Sequence, residues 1–426
     1  MTQVPSHPVP DSTLPDDDLR TLDAAARRAV EGDDPAVLDT LVSRLPSALD
    51  ARTARVADQL AFGLGRFHRY DDAIALLERA YAVAPTWRRA SSLAWCFYSA
   101  ALDEAGPGRG RGPRRGEDER RARRDREVGR DPSARREALR KGFRRWVGEA
   151  LRHDPSSIKD LYRLGLFESQ VENAHDRVAL AAFERAIDAY RAMSEDERER
   201  RLDLRRFYLS ALYAAARSAL RLGDAHRAKA YAFEGVHAHR ARPCLHGVHV
   251  FDMAGRACFA LGELDEAERG FRLALDADGP PRRDHLFVRL AQVCGARKDF
   301  EGGCRWIERH IRPERRAPYA WRTLGDLRAD AGQEEAALAA WHAALERDRH
   351  GRHLTLTRIG AIHEKHGRRK QAMRAYEDAV AFARRAYGKR HRPAEEGLAR
   401  LGAAPKDAPA PTPAPTPAPS GTQEAA

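Results

Sequence analysis

The stretches "FDMAGRACFALGELDEAERGFRLAL" (251–275), "AWRTLGDLRADAGQEEAALAAWHAAL" (320–345) and "LTRIGAIHEKHGRRKQAMRAYEDAV" (356–380) are versions of one pattern. A small residue stands at Gly255, Ala291, Gly325 and Gly360, and a second at Ala267, Gly303, Ala337 and Ala372. A bulky column follows four residues later, at Phe271, Ile307, Trp341 and Tyr376. Each column steps by 36, 34 and 35 residues. Three columns in phase over four copies mark an internal repeat. The apolar spacing predicts two short amphipathic helices per unit. A helix of about a dozen residues is marginal alone, so the hairpins must stack. The small residues predict close approach of the two helices of a hairpin, and the bulky column is read as filling the gap to the next hairpin. Gly262, Gly332 and Gly367 are placed to end the first helices in the left-handed conformation.

The unit resembles the tetratricopeptide repeat (TPR), a helix–turn–helix of about 34 residues. Trp321-x-x-Leu324-Gly325, then Ala337-x-x-x-Trp341-x-x-Ala344, carries the resemblance most fully. Arg328 stands where that pattern has tyrosine, and Arg349 where it has proline. Other copies supply the proline, at Pro85 and Pro155, where it stops the second helix. Eight units can be read, at 54–87, 88–155, 157–192, 204–239, 248–280, 284–316, 318–351 and 353–386. The resemblance implies an all-α, right-handed α-solenoid of eight TPR-like helical hairpins with an Arg-rich insertion. Residues 1–17 are read as a disordered N-terminus, 18–53 as N-terminal capping helices and 54–402 as the solenoid, with 393–402 as a C-terminal cap. The Pro/Ala-rich tail 403–426 reads as an extended tether.

The second unit is interrupted. Between its helical patterns lies the insertion 105–132, with Arg109, Arg111, Arg114, Arg115, Arg120, Arg121, Arg123 and Arg124. From 106 to 146 there are 16 basic and 7 acidic residues, which accounts for most of the net charge of +12. Array proteins tolerate insertions at such ridges, and this composition cannot support a packed core. Those arginines are candidate contacts for nucleic-acid phosphates or an acidic partner. Base stacking would call for interleaved aromatics, and none occurs before Phe143. The rest of the basic excess is nearly all arginine, with 8 lysines among 75 basic residues, a bias that GC-rich coding alone produces.

In TPR-like arrays the inner wall is lined by first helices, and the resemblance implies a peptide or partner helix bound there. Phase assigns Lys159, Tyr162 and Arg163 to this groove in the third unit, and Arg217 and Arg221 in the fourth. Asp252 and Arg256 follow in the fifth, Arg289 and Gln292 in the sixth, Arg322 and Asp326 in the seventh, and Arg358 in the eighth. The wall is mostly positive, and arginine matches carboxylates in a bidentate fork. The reading is therefore a protein–protein adaptor or scaffold that takes an acidic peptide or helix. The alternatives are a nucleic-acid-associated protein using the insertion, and a homo-oligomeric array joined through its end faces.

Other chemistry finds little footing. There is no GxSxG, no phosphate-binding GxxxxGK and no dinucleotide GxGxxG after a strand, so the chain reads as a non-enzyme without cofactor. His237, His239, Cys244, His246 and His249 cluster in one turn, but their spacing matches no standard zinc site, and no metal is expected. Five cysteines without a CxxC are neither a disulfide framework nor a thiolate site. The first 20 residues lack a basic start and an apolar core, and no run of 18 apolar residues occurs. The expectation is a cytoplasmic protein that does not enter a membrane.

Overall fold

The computed structural model describes residues 16–31, 35–104, 131–172, 175–243, 247–277, 279 and 283–402. Among these residues every regular element is helical. The chain divides into two compact units, with the boundary between residues 277 and 278.

Unit 1 opens with α1 (Asp16–Glu31) and α2 (Pro35–Ser43). Five hairpins follow. They are α3 (Thr53–Arg66) with α4 (Tyr70–Val83), α5 (Trp87–Glu104) with α6 (Pro132–His153), and α7 (Ile158–Gln170) with α8 (Asp176–Arg191). The short α9 (Glu195–Arg200) then precedes α10 (Leu202–Arg221) with α11 (Ala225–Ala241), and α12 (Gly247–Ala260) with α13 (Leu264–Asp276). The repeat pattern gives no hint of α9. A local signal makes it: Ser194 and Glu197 form a reciprocal capping box. Unit 2 holds three hairpins, α14 (Asp284–Ala296) with α15 (Phe300–His310), α16 (Pro318–Asp330) with α17 (Glu334–Arg347), and α18 (Arg352–Lys365) with α19 (Arg369–Tyr387). It ends in α20 (Arg392–Arg400). All eight hairpins stand where the repeat phase puts them, and the architecture is an all-α, TPR-like stack.

The columns explain why the hairpins close. A Cβ added at Gly255 would lie 2.7 Å from the Phe271 ring, and one at Gly360 would lie 2.7 Å from Tyr376. Gly325 faces Trp341 in the same way, and Gly165 faces Phe183. Phe183, Phe271, Trp341 and Tyr376 thus lie first on the glycine of their own hairpin, not simply in the gap to the next. The reason is geometric, because only a missing side chain lets the facing helix lay a flat ring on backbone. Contact with the following element is added at α20, where a Cβ built on Gly397 would lie 2.5 Å from the Tyr376 ring. Between hairpins of unit 1, aromatic pairs do the joining. Phe143 stacks on Phe167 at 4.1 Å, and Tyr190 on Tyr208 at 4.2 Å.

The turns follow the glycine rule with two exceptions. Gly223, Gly262, Gly332 and Gly367 have φ between 66° and 82° after their first helices. In the first and sixth hairpins the same turn is made by His68 and Lys298, at φ 61° and 64°. Both carry a Cβ in a conformation that disfavours one.

Candidate functional site

First helices stand beside first helices: in unit 1, α5 packs on α7, α7 on α10 and α10 on α12, and in unit 2, α14 packs on α16. A face of neighbouring helices results, and the two units furnish it differently.

In unit 1, α10 presents a stripe at helical spacing, Arg206, Ser210, Tyr213, Arg217 and Arg221. Arg217 is half-buried, with its guanidinium 6.0 Å over the Tyr213 ring. Its Nε has no hydrogen-bond acceptor. Burial, reinforced by the like charges of Arg221 and Arg256, pulls it below the ordinary arginine range, while Tyr213 and Tyr162 act the other way. It remains a cation at neutral pH. On α12, Arg256 is also half-buried, and neither it nor Arg217 has a carboxylate partner among the described residues. Tyr162 of α7 lies between Phe183 and Phe207, each 5.9 Å away, and hydrogen-bonds Ser210. Tyr213 meets His249 edge-on at 6.0 Å. Lys159 is half-buried at the start of α7. Its ammonium is pushed down to about 8, first by burial and then by Arg163, with Asp160 and Asp203 opposing and Arg88 assisting.

The other unit 1 candidates are engaged or enclosed. Arg221 donates to Asp176 at 3.2 Å. Asp252 is buried, and its Oδ1 lacks a donor. Arg163 is committed to the interior. It donates to the Ser91 carbonyl and hydroxyl at 2.9 Å each, and to Asp160 at 3.2 Å. Asp160 is itself fully buried and also accepts from Trp87 Nε1, Ser91 Oγ and Ser157 Oγ at 3.0, 2.7 and 2.7 Å. That knot joins α5 to α7. Phase alone put Arg163 on the open face, and the Ser91 carbonyl and hydroxyl of α5, with Asp160 of its own helix, draw it inward.

In unit 2 the candidate first-helix arginines hold partners. Arg322 of α16 pairs with Asp348 beyond α17, and Asp348 also caps the turn through Gly351 N at 2.6 Å. Arg358 Nε donates to Asp326 Oδ1 at 2.6 Å, and Trp341 Nε1 donates to the same oxygen at 3.0 Å. Two predicted groove residues, Arg358 and Asp326, thus meet each other. Arg289 donates to Gln292 at 3.1 Å along α14.

Arg109, Arg111, Arg114, Arg115, Arg120, Arg121, Arg123 and Arg124 lie outside the described residues. The basic run does continue onto α6, where much of it is matched. Arg135 bonds Glu104 at 2.7 Å and Asp71 at 2.8 Å, and Arg144 reaches Glu172 at 3.4 Å. Cys244 and His246 also fall outside. Buried His239 packs edge-on to Phe251 at 5.7 Å, and among the described residues no group of acids, histidines and cysteines is arranged to hold a metal. Cys96 and Cys258 are buried, their thiols pushed up to about 12 and about 11, foremost by burial. No described helix is long and apolar enough to cross a membrane.

Tyr213, Ser210 and His249 belong to this neighbourhood but escape the repeat-column reading. The signal was present on α10, since Tyr213 lies four residues before Arg217 and Ser210 seven before it.

The hairpins define a class, a TPR-like α-solenoid whose first-helix face is the candidate binding surface. No family model and no curated sequence matches the chain. Solved structures similar to it include PilF of Pseudomonas aeruginosa, at 14% identity and TM-score 0.40, covering 59% of this chain and 88% of that one. PilW, a type IV pilus biogenesis factor, matches at 14% identity and TM-score 0.39 over 67% of this chain and 97% of its own. YrrB, a TPR protein with an unusual peptide-binding site, matches at 17% identity and TM-score 0.30 over 52% and 99%. These likenesses are loose, and the reading of function rests on the chain's own residues.

Proposed function

We propose that the protein is a binding adaptor whose unit 1 takes an acidic peptide or partner helix on the face formed by α7, α10 and α12. One observation carries the reading: Arg217 and Arg256 stand on adjacent helices, half-buried, mutually repelling and without carboxylates. Like charges held together at a partly desolvated surface raise the free energy of the empty state, and an anionic ligand relieves it. Tyr213 orients the Arg217 guanidinium from below, which lowers the entropy lost on binding. Lys159 adds a third cation, while Tyr162 supplies an amphipathic wall.

The test uses a fluorescein-labelled hexaglutamate peptide and anisotropy on the full chain. Arg217→Glu with Arg256→Glu should weaken binding by about tenfold or more, one to two charge-assisted contacts' worth. Arg322→Ala, at a residue already paired with Asp348, should leave it within about twofold. Equal loss in both variants would reject the unit 1 face.

A further inference from the structure

Unit 2 closes on a cluster of rings where α18, the end of α19 and the approach to α20 meet. His353 stacks on Phe382 with centroids 6.0 Å apart, meets Tyr387 edge-on at 5.6 Å and meets His391 edge-on at 4.8 Å. The Thr357 hydroxyl donates to the His353 carbonyl at 2.8 Å. Its single proton is then used, so the 2.9 Å contact between Thr357 Oγ1 and His391 Nε2 requires the imidazole to donate. His353 Nδ1 is buried and has no hydrogen-bond partner. A second proton on His353 places a cation in an aromatic stack with no acceptor for that N–H. A second proton on His391 as well sets two cations edge to face.

The charged surroundings do not cancel this. Burial holds His353 below the ordinary imidazole range, with Asp348 opposing and Arg322 assisting. Burial does the same to His391, with His353 assisting and Glu395 opposing. Asp348 is already paired with Arg322, and Glu395 with Arg390 at 2.8 Å. Tyr387 donates its hydroxyl to the His350 carbonyl and meets His353 edge-on through its ring, and His353 Nδ1 takes no hydrogen bond from it.

We propose that the His353–His391 pair is a pH-sensitive latch that keeps α20 docked while both rings are neutral and releases it on acidification. The sign follows from linkage. The docked form prefers neutral imidazoles, so docking is complete above about pH 6.5 and is lost as pH falls through the docked-state values. Release bares a defined surface. Ala394 and Leu398 of α20 share an apolar cluster with Ala372, Tyr376, Ala379 and Val380 of α19. Other ties survive mild acid, among them the bond from Arg369 to the Leu401 carbonyl. Arg400 bonds Glu364 through two contacts of 2.9 Å and holds that carboxyl below its usual range. A change between pH 6.5 and 5.5 therefore belongs to the imidazoles.

Hydrogen exchange on the full chain at pH 7.5 and 5.5, corrected for intrinsic rate, tests this. Protection across α20 should fall by about tenfold or more at the lower pH, the response of a single displaced protonation over one pH unit, while α16 keeps its protection. In His353→Phe with His391→Gln the phenyl ring retains the stack and the amide still donates to Thr357, and protection should persist at both pH values. Unchanged α20 protection in the wild-type chain, or equal loss in the variant, overturns the latch. If the variant is unprotected at pH 7.5, proton NMR of the wild-type imidazoles decides. His353 and His391 must titrate together with the loss of α20 protection, and titration elsewhere overturns the proposal.

Discussion

In unit 1, Arg217 and Arg256 stand on neighbouring first helices, Arg217 over the Tyr213 ring, and neither has a carboxylate partner among the described residues. In unit 2, Arg322 and Arg358 lie on first helices about one turn earlier in their repeats, and each holds an aspartate. The hairpins are alike, and so is the residue type. What differs is an acid 26 or 32 residues away, in the turn after a helix or on the preceding first helix. Binding charge on a repeat face is thus a property of a pair of positions.

The comparison can be broken most severely through the acids. Asp160→Ala removes the acceptor for Arg163, Trp87, Ser91 and Ser157 in the interior of unit 1, and strands a buried cation. It should cost about 3–5 kcal/mol. Asp326→Ala frees a half-exposed Arg358, while Trp341 retains the Arg322 carbonyl at 3.3 Å, and should cost no more than about 1 kcal/mol. Urea unfolding of both variants checks the gap; similar losses would mean that the two units treat their ion pairs alike.

A smaller effect sharpens the contrast on the binding side. Lys159, at about 8, is charged at pH 7 and largely neutral at pH 9. Raising the pH across that range should weaken hexaglutamate binding by about threefold, the size of one screened charge contact. Lys159→Arg should abolish the dependence, as should the double charge reversal at Arg217 and Arg256. A pH response that survives in Lys159→Arg would assign it to another group.

The smallest effect concerns the turns. Lys298→Gly should stabilise unit 2 by about 0.5–1 kcal/mol by relieving a left-handed residue, and Gly262→Ala should destabilise unit 1 by a similar amount. Thermal unfolding of the two variants should shift in opposite directions.

The fold was legible because its determinants repeat. Gly255, Gly325 and Gly360 are small for one reason, contact with a ring four residues past the second small column, and a reason repeated in phase shows in a single sequence. Turn glycines are legible likewise, though His68 and Lys298 show that tertiary packing can hold the turn without them. The site was legible only in part. Phase located the first-helix face and found Arg217 and Arg256, but it could not separate Arg163, drawn inward by Ser91 and Asp160, from its exposed counterparts. Nor could it foresee the Arg322–Asp348 pair, since Asp348 lies in a turn outside the repeated columns. The Asp326–Arg358 pair was closer to reach, since both positions sit on first helices one hairpin apart. Side-chain partners chosen across hairpins are not periodic, and periodicity was the instrument.

Tyr376, clasped between Gly360 of its own hairpin and Gly397 of α20, carries a lesson for lengthening the chain. Phe271 and Trp341 meet a glycine only on their own hairpin, and the helices that follow them stack without one. A hairpin grafted after residue 387 should therefore seat without a glycine at that place, whereas Gly397→Ala in the present chain sets a Cβ against the Tyr376 ring and should loosen α20.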